Sequence, residues 1–467
     1  MKNTIAGILL LLLIEYVLIS IGSGCAQIGA PTGGPKDTIA PKLIKALPDN
    51  NSVNFKGDKI VLLFDEYIDL QNVQSNLLVT PFPKNLPAIQ SNLRTISIRL
   101  KDSLLPNTTY SINLGDAVKD VNEGNVFNNL VYTFSTGNFI DSLELTGKVL
   151  MAETGRIDST LMVCLYKNAS DSDVVKRKPD YITRLNSEGK FKFNFLPAAL
   201  FKIYALKDGD GSKTYNSGTE AFAFIDKEIS TTDKNISLLL FAYNEKKQVN
   251  TGSPTASGKK QKEKKLRYTT TLVQQQQDVL QPMELNFNMP VKNFNADKII
   301  LTDTFYKPVG AKVSIDSSRE KISINYSWKQ DQKLMLILSN DALTDENGNN
   351  LPQSDTIRFK CKTKEDYGTV LLIFDKTDLS KNPMIFFVEA DQVKHQAYLT
   401  GREWNNTLFP PGEYEIRILF DENKNGKWDP GNYSLKIQPE KVYSFPQKMT
   451  VKSNWENERE MVWPNNY

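Results

Sequence analysis

Short runs in which every second residue is apolar, closed by turn-forming residues, recur along this chain and leave little room for anything but β-sheet. Ile60, Leu62 and Phe64 form one such run, Ile96, Ile98 and Leu100 a second, and Tyr110, Ile112 and Leu114 a third. Successive side chains of a strand point to opposite faces, so each run offers one apolar face and one wet face. That is the pattern of an antiparallel sandwich with a single buried side per sheet. No stretch sustains a 3.6-residue period, and a short helical turn is expected only within residues 65–75. The expected fold class is all-β, built as tandem β-sandwiches.

The same design is written twice. Asp116, Ala117, Val118, Lys119 and Asp120 with Gly124 and Asn125 are echoed by Asp341, Ala342, Leu343, Thr344 and Asp345 with Gly348 and Asn349. Each turn leads into a closing strand, Tyr132 to Phe134 and Ile357 to Phe359, and Met283, Leu285, Phe287 and Met289 stand in for the run at Ile60. Further along, Asp208, Asp210, Ser212, Tyr215, Asn216 and Gly218 match Asp421, Asn423, Asn425, Trp428, Asp429 and Gly431 at one constant offset, as do Pro197 and Phe201 with Pro410 and Tyr414. Self-similarity of this kind implies an A, B, A, B order of modules. The expected boundaries are 40–137 (A1), 138–244 (B1), 268–364 (A2) and 365–467 (B2). Residues 245–267 between them carry seven lysines around Gly252, Ser253 and Pro254 and read as an exposed basic linker.

The N-terminus reads as an address. Lys2 precedes an apolar stretch at residues 5–14, and the small residues Gly22, Ser23 and Gly24 then lead to Cys25. This resembles the lipobox of bacterial lipoproteins, with Gly22 where a Leu-like residue is usual, and it implies a signal peptide at 1–24 and lipidation of Cys25. A membrane-spanning helix over 4–21 would place Glu15 in the bilayer at a cost of about 2.5–3.5 kcal/mol near its centre. Acyl chains at about 0.8 kcal/mol per buried methylene would hold the chain on a membrane without help from the fold. Residues 25–39, with Gly29, Pro31, Gly33, Gly34 and Pro35, read as a flexible tether. Ala26 and Gln27 follow the cysteine, so no acidic residue there argues for retention at an inner membrane, and an outer-membrane lipoprotein of the cell envelope is expected.

Composition excludes some classes. With 467 residues, 40% of them hydrophobic and 24% charged, the chain has material for several cores and is not disordered as a whole. A net charge of +3 is too small for a nucleic-acid footprint. Cys164 and Cys361 remain besides Cys25; both sit in strand-like runs in different modules and read as buried thiols.

The A1 segment, from Ile39, Ala40 and Pro41 through Phe64 to Ile68, then Leu105 to Tyr110 and the turn from Asp120 to Asn125, resembles a bacterial Ig-like domain of the surface-layer type. The B segments resemble transthyretin-like or carboxypeptidase-regulatory-like sandwiches. With Cys25 and its tether, the whole is similar to Ig-like-domain lipoproteins of Gram-negative envelopes. The resemblance implies exposure outside the cytoplasm and a binding or scaffolding role, with no defined reaction.

One loop has the spacing of a cation site. Asp421, Asn423, Asn425, Lys427 and Asp429 occupy alternate positions, with Gly426 at the turn, so their oxygens could converge on Ca²⁺. Asn432 replaces the bidentate Glu of an EF-hand and the flanks are strands, so the alternative is a hairpin loop across which Trp428 packs. The copy at Asp208 has Lys213 in place of the glycine. The turns at Asp120 and Asp345 read as side-chain-capped turns. Enzymatic readings lack parts: His395 is the one histidine, zinc would need several His or Cys ligands, and Asp65 and Glu66 alternate across a strand and so are poorly placed to share one substrate. No catalytic residue is expected. Trp455 reads as closing the last sandwich, and Trp463 with Tyr467 as an exposed partner contact at the C-terminus.

These readings converge on a non-enzymatic, lipid-anchored envelope protein that binds or scaffolds, attached to the membrane through its lipid and meeting an envelope protein partner. The alternatives are an accessory subunit of an outer-membrane secretion, assembly or uptake complex, and a carbohydrate-binding surface lipoprotein.

Overall fold

A computed structural model describes residues 36–233, 237–246 and 265–463, together with Gly7, Ile14 and Glu15 of the leading segment. The chain divides into two compact units, Met1–Ile140 and Asp141–Tyr467. Among the described residues no helix is long and apolar enough to cross a membrane. The α-helices described in the modules, Val73–Asn76 and Asp173–Lys176, are single turns.

The first unit holds A1. One sheet runs in the order Leu43–Leu47, Lys59–Phe64, Thr95–Arg99, Ala88–Asn92, and a second in the order Leu130–Ser135, Thr109–Gly115, Leu78–Thr80. Lys59–Phe64 alternates as its sequence dictates: Ile60, Leu62 and Phe64 are fully buried while the residues between them face outward. With Ile96, Ile98, Ile112, Leu114 and Phe134 they form one core, each such side chain contributing about 1.5–3 kcal/mol on burial.

The second unit repeats this module and adds two of another kind. In A2 the order Tyr268–Thr270, Met283–Phe287, Lys321–Asn325, Lys312–Ile315 reproduces the first sheet of A1, with Met283–Phe287 in the central place of Lys59–Phe64. Asp355–Cys361, Lys333–Leu338 and Ile299–Thr302 reproduce its second sheet, extended at one edge by Gln276–Gln277. In B1 a three-stranded sheet has Leu143–Met151 at its centre, antiparallel to Lys190–Leu196 and parallel to Ser237–Ala242. In B2 Gly368–Phe374 is likewise central, antiparallel to Glu403–Phe409 and parallel to Glu456–Met461. The facing sheets agree too. Tyr181–Arg184, Met162–Lys167, Leu200–Leu206, Phe222–Phe224 in B1 correspond to Gln392–Tyr398, Pro383–Glu389, Gly412–Phe420, Val442–Ser444 in B2. The duplication read in the sequence is therefore matched in the strand order of the two facing sheets of each module, including the parallel closing strand of both B copies.

Asp65 and Glu66 lie in the bend after Lys59–Phe64 and not within a strand, so the alternation expected for them does not apply.

Candidate functional site

Cys25, residues 26–35 of the tether and Tyr467 lie outside the described residues, as do residues 247–264 of the basic linker. The described candidates are the two Asp/Asn loops, His395, Trp463 and the surface on which B1 meets B2.

In the second loop Asp421 turns inward at the end of Gly412–Phe420 and is fully buried. Its carboxylate accepts the Tyr398 hydroxyl at 2.6 Å and the backbone N–H groups of Gly426 and Asn425 at 2.8 and 3.1 Å. Burial pushes its pKa up, but these donors outweigh burial and hold it below the usual carboxylate range. Asp429 receives the side-chain amides of Asn423 and Asn425 at 2.5 and 2.6 Å, and Trp428 donates its indole N–H across the loop to the Glu440 carbonyl at 2.8 Å. The structure thus gathers Asp421, Asn423, Asn425 and Asp429 into one hydrogen-bonded knot. Lys427 is exposed and its N–H donates to the Asn425 side chain.

The first loop keeps the backbone and changes the chemistry. Gly211 and Lys213 take φ of 80° and 62°, as Lys424 and Gly426 take 61° and 74°. At the position of Gly426, however, Lys213 turns its ammonium back onto the buried carboxylate of Asp208. Carboxylate oxygens of Asp208, Asp210 and Glu220 lie within 4.8 Å of one another. The loop carries its own counter-ion, and Asp210, bonded by Asn216 and by Ser212, is drawn down to about 2. The turns at Asp120 and Asp345 are capped turns: Asp120 accepts three backbone N–H groups, from Glu123, Gly124 and Asn125, and Asp345 two, from Asn347 and Asn349.

His395 lies on the edge strand Gln392–Tyr398, with its ring 4.8 Å from that of Phe409 and 6.1 Å from that of Tyr414. Burial lowers its pKa, as expected of an imidazole serving as a wall of apolar packing. Cys164 and Cys361 are free and buried, and desolvation pushes their thiols up to about 12 and about 11, far from a reactive thiolate.

One polar constellation was not visible in the sequence: the junction of B1 with B2. Tyr433 inserts among Tyr204, Tyr215, Phe222 and Phe224, and its hydroxyl donates to the Asp171 carbonyl at 2.7 Å. Glu245 accepts the Tyr433 N–H at 2.8 Å, and the Lys436 ammonium lies 4.0 Å above the Tyr433 ring. On the other side Arg156 reaches from B1 to Asp391 at 2.6 Å and to Glu415, which also accepts Arg417 and Ser444 at 2.6 Å each. Burial pushes the Glu415 carboxyl up, but the hydrogen bonds from Arg417, Arg156 and Ser444 prevail and hold it at about 2. The Val442 N–H donates to the Ala152 carbonyl at 3.0 Å, closing the contact through backbone as well.

The tail corrects the expectation for its tryptophans. Trp455 is 62% exposed, whereas Trp463 folds back, packs on Tyr443, Phe445 and Phe420, and donates its indole N–H to Thr377 at 3.0 Å. The last strand, Glu456–Met461, starts after Trp455, so the residue that closes the sandwich is the one beyond that strand.

No curated protein matches the chain. Among solved structures, the TIE protein of Bacillus anthracis is similar at 12% identity over 92% of this chain and 75% of that one, with a TM-score of 0.17. The N-terminal part of the bacterial S-layer protein SbsC is similar at 13% identity over 44% of each chain, with a TM-score of 0.16. BcpA, the major pilin subunit of Bacillus cereus, is similar at 8% identity over 68% of this chain and 98% of that one, with a TM-score of 0.17. At such scores the likenesses carry no weight for fold or function. What is shown at the level of family is that residues 37–136, the A1 module, match the bacterial Ig-like domain.

Proposed function

We propose that this protein is a lipid-anchored, non-enzymatic binding or scaffolding element of the bacterial cell envelope, tethered through Cys25 to the outer membrane and presenting its β-sandwiches to an envelope partner. The observation that carries the reading is the pairing of B1 with B2. A duplicated module fixed to its copy by Tyr433, Arg156 and backbone bonds makes a stiff composite surface suited to holding a partner. The bacterial Ig-like match of A1 supports a place at the cell surface or envelope. His395 packed among rings and thiols raised by burial support the non-enzymatic part.

Metabolic labelling with a radioactive or clickable palmitate tests the anchor. The wild-type protein is expected to take the label and fractionate with outer membranes, and Cys25→Ala to lose both properties; an unlabelled wild-type protein overturns the anchor. Cross-linking in native membranes, followed by identification of the captured proteins, tests the partner.

A further inference from the structure

Deepening the proposed binding role, and resting on it, we infer that the cleft between B1 and B2 binds an acidic polysaccharide. The docking of the two repeats encloses a cleft of about 1280 Å³, floored by the outer face of the B1 sheet around Leu143–Met151 and walled by Val442, Tyr443 and Ser444 of B2. Its lining includes Lys148, Arg156, Arg184, Lys190 and Lys192 and no carboxylate.

The placing of the lysines is the informative part. Strand register sets Lys148 directly opposite Lys190, with Lys192 two pairs further along, on the same face and opposite Thr146. Like charges directly opposed across a strand pair destabilise a sheet, so a face with no ligand gains nothing from this arrangement. Glu188 meets Lys190 at 2.5 Å and Glu144 meets Lys192 at 2.8 Å. Those side chains are half exposed or more, and such surface pairs are weak enough to exchange for a ligand's carboxylates. Arg156 is committed to Glu415 and Asp391 and shapes the wall.

The rest of the lining selects among anions. Thr146, Ser237 and the Asn186 side-chain amide add neutral polar groups that fit a ligand rich in hydroxyls, whereas the hydroxyls of Thr183 and Ser444 are given to the Lys192 carbonyl and to Glu415. Through Leu239 the cleft adjoins a second cavity of about 570 Å³, to whose lining Phe241, Phe420 and Trp463 contribute aromatic surface. Lysines and acidic residues are both present in that second lining, so discrimination by charge belongs to the first cavity. A cleft larger than ordinary small-molecule pockets of about 300–1,000 Å³, continued by an aromatic one, suits several linked sugar rings.

The test is affinity electrophoresis and calorimetry of the full-length protein in mild detergent. The probes are polygalacturonate as the uronic-acid polymer, dextran as the neutral one, and poly-glutamate as the acidic peptide. Retention by polygalacturonate that weakens with salt, with none by dextran, is expected. The variant Lys148→Gln with Lys190→Gln and Lys192→Gln should bind at least about tenfold more weakly. Its melting temperature should hold or rise, because the opposed charges are gone. Absence of retention, equal retention by dextran, stronger retention by poly-glutamate, or full affinity in the variant overturns the assignment. Because binding is read on purified protein and the anchor by palmitate labelling, a failure of either leaves the other standing on its own measurement.

Discussion

The phenolic oxygens of Tyr204 and Tyr433 stand 3.0 Å apart although 229 positions separate them in the chain. Tyr204 belongs to the outer face of the B1 sheet and Tyr433 to a loop of B2, and the bond lies at the centre of an aromatic cluster in which Tyr433 meets four rings edge-on or tilted. Such ring pairs add about 0.5–1.5 kcal/mol beyond area burial. Tyr433→Ala is therefore expected to cost about 3–5 kcal/mol. It should also split the thermal unfolding of B1 and B2 into two calorimetric transitions. Tyr433→Phe keeps the packing and loses only the bonds to Tyr204 and Asp171, so a loss of about 1–3 kcal/mol with one transition is expected. A single unshifted transition in the alanine variant would show that the two repeats melt together for some other reason.

Acid should loosen the same junction. The Glu415 carboxylate is held at about 2 against an ordinary 4.5, so the stability it contributes is fully present above pH 4.5 and is lost as pH falls from there toward 2. Arg156→Ala removes the one B1 partner of Glu415 while Arg417 and Ser444 remain, and a loss of about 1–3 kcal/mol near neutral pH is expected. Stability measured by denaturant from pH 7 down to pH 2 should show a wild-type decline below pH 4.5 that is shallower in Arg156→Ala. Parallel curves for the two proteins would remove Glu415 from the account.

Most of the architecture was readable because alternation leaves a direct trace. Ile60, Leu62 and Phe64 name the buried face of their strand, and the echo of Asp120 in Asp345 marks a turn whose carboxylate caps the backbone in both copies. The junction of B1 with B2 left a fainter trace. Phe222–Phe224 is apolar without alternation and buried throughout, which is what a strand covered on both faces looks like. Periodicity says that a second face is covered without saying by what, so Tyr433 and Arg156 could not be found from spacing. Trp455 and Trp463 exchanged roles because the choice depends on where one short strand ends. Opposed lysines such as Lys148 and Lys190 become visible only once register is known.

Gly155 offers a test of how closely the repeats are fitted. It takes a φ of +66°, and a Cβ there would lie 2.7 Å from the Val442 carbonyl and 2.8 Å from the Ser444 nitrogen, both backbone atoms of B2. Gly211 also has a positive φ, +80°, but a Cβ there meets nothing within 4 Å. Gly211→Ala should thus cost only the left-handed strain, about 1–2 kcal/mol, and leave the pairing of repeats intact. Gly155→Ala adds the clash and should render the chain between B1 and B2 more open to limited proteolysis. Equal proteolysis of the two variants would argue that the contact yields readily.

The loops at Asp208 and Asp421 differ in how they balance charge, and calcium distinguishes them. Lys213 already neutralises Asp208, and to bind there an ion must displace an ammonium tied to the same backbone turn. At Asp421 an ion must compete with the Tyr398 hydroxyl and two N–H groups, and it must take Asp429 from the amides of Asn423 and Asn425. Both loops are thus satisfied by their own donors, and the expected outcome for the full-length protein is no change in melting temperature on adding millimolar Ca²⁺. Lys213→Gly leaves Asp208, Asp210 and Glu220 close together without their counter-ion. This variant should lose stability, and millimolar Ca²⁺ should restore part of it, as the compact multi-oxygen sites of that ion require. A wild-type rise in melting temperature that Asp421→Ala abolishes would instead assign calcium to the second loop.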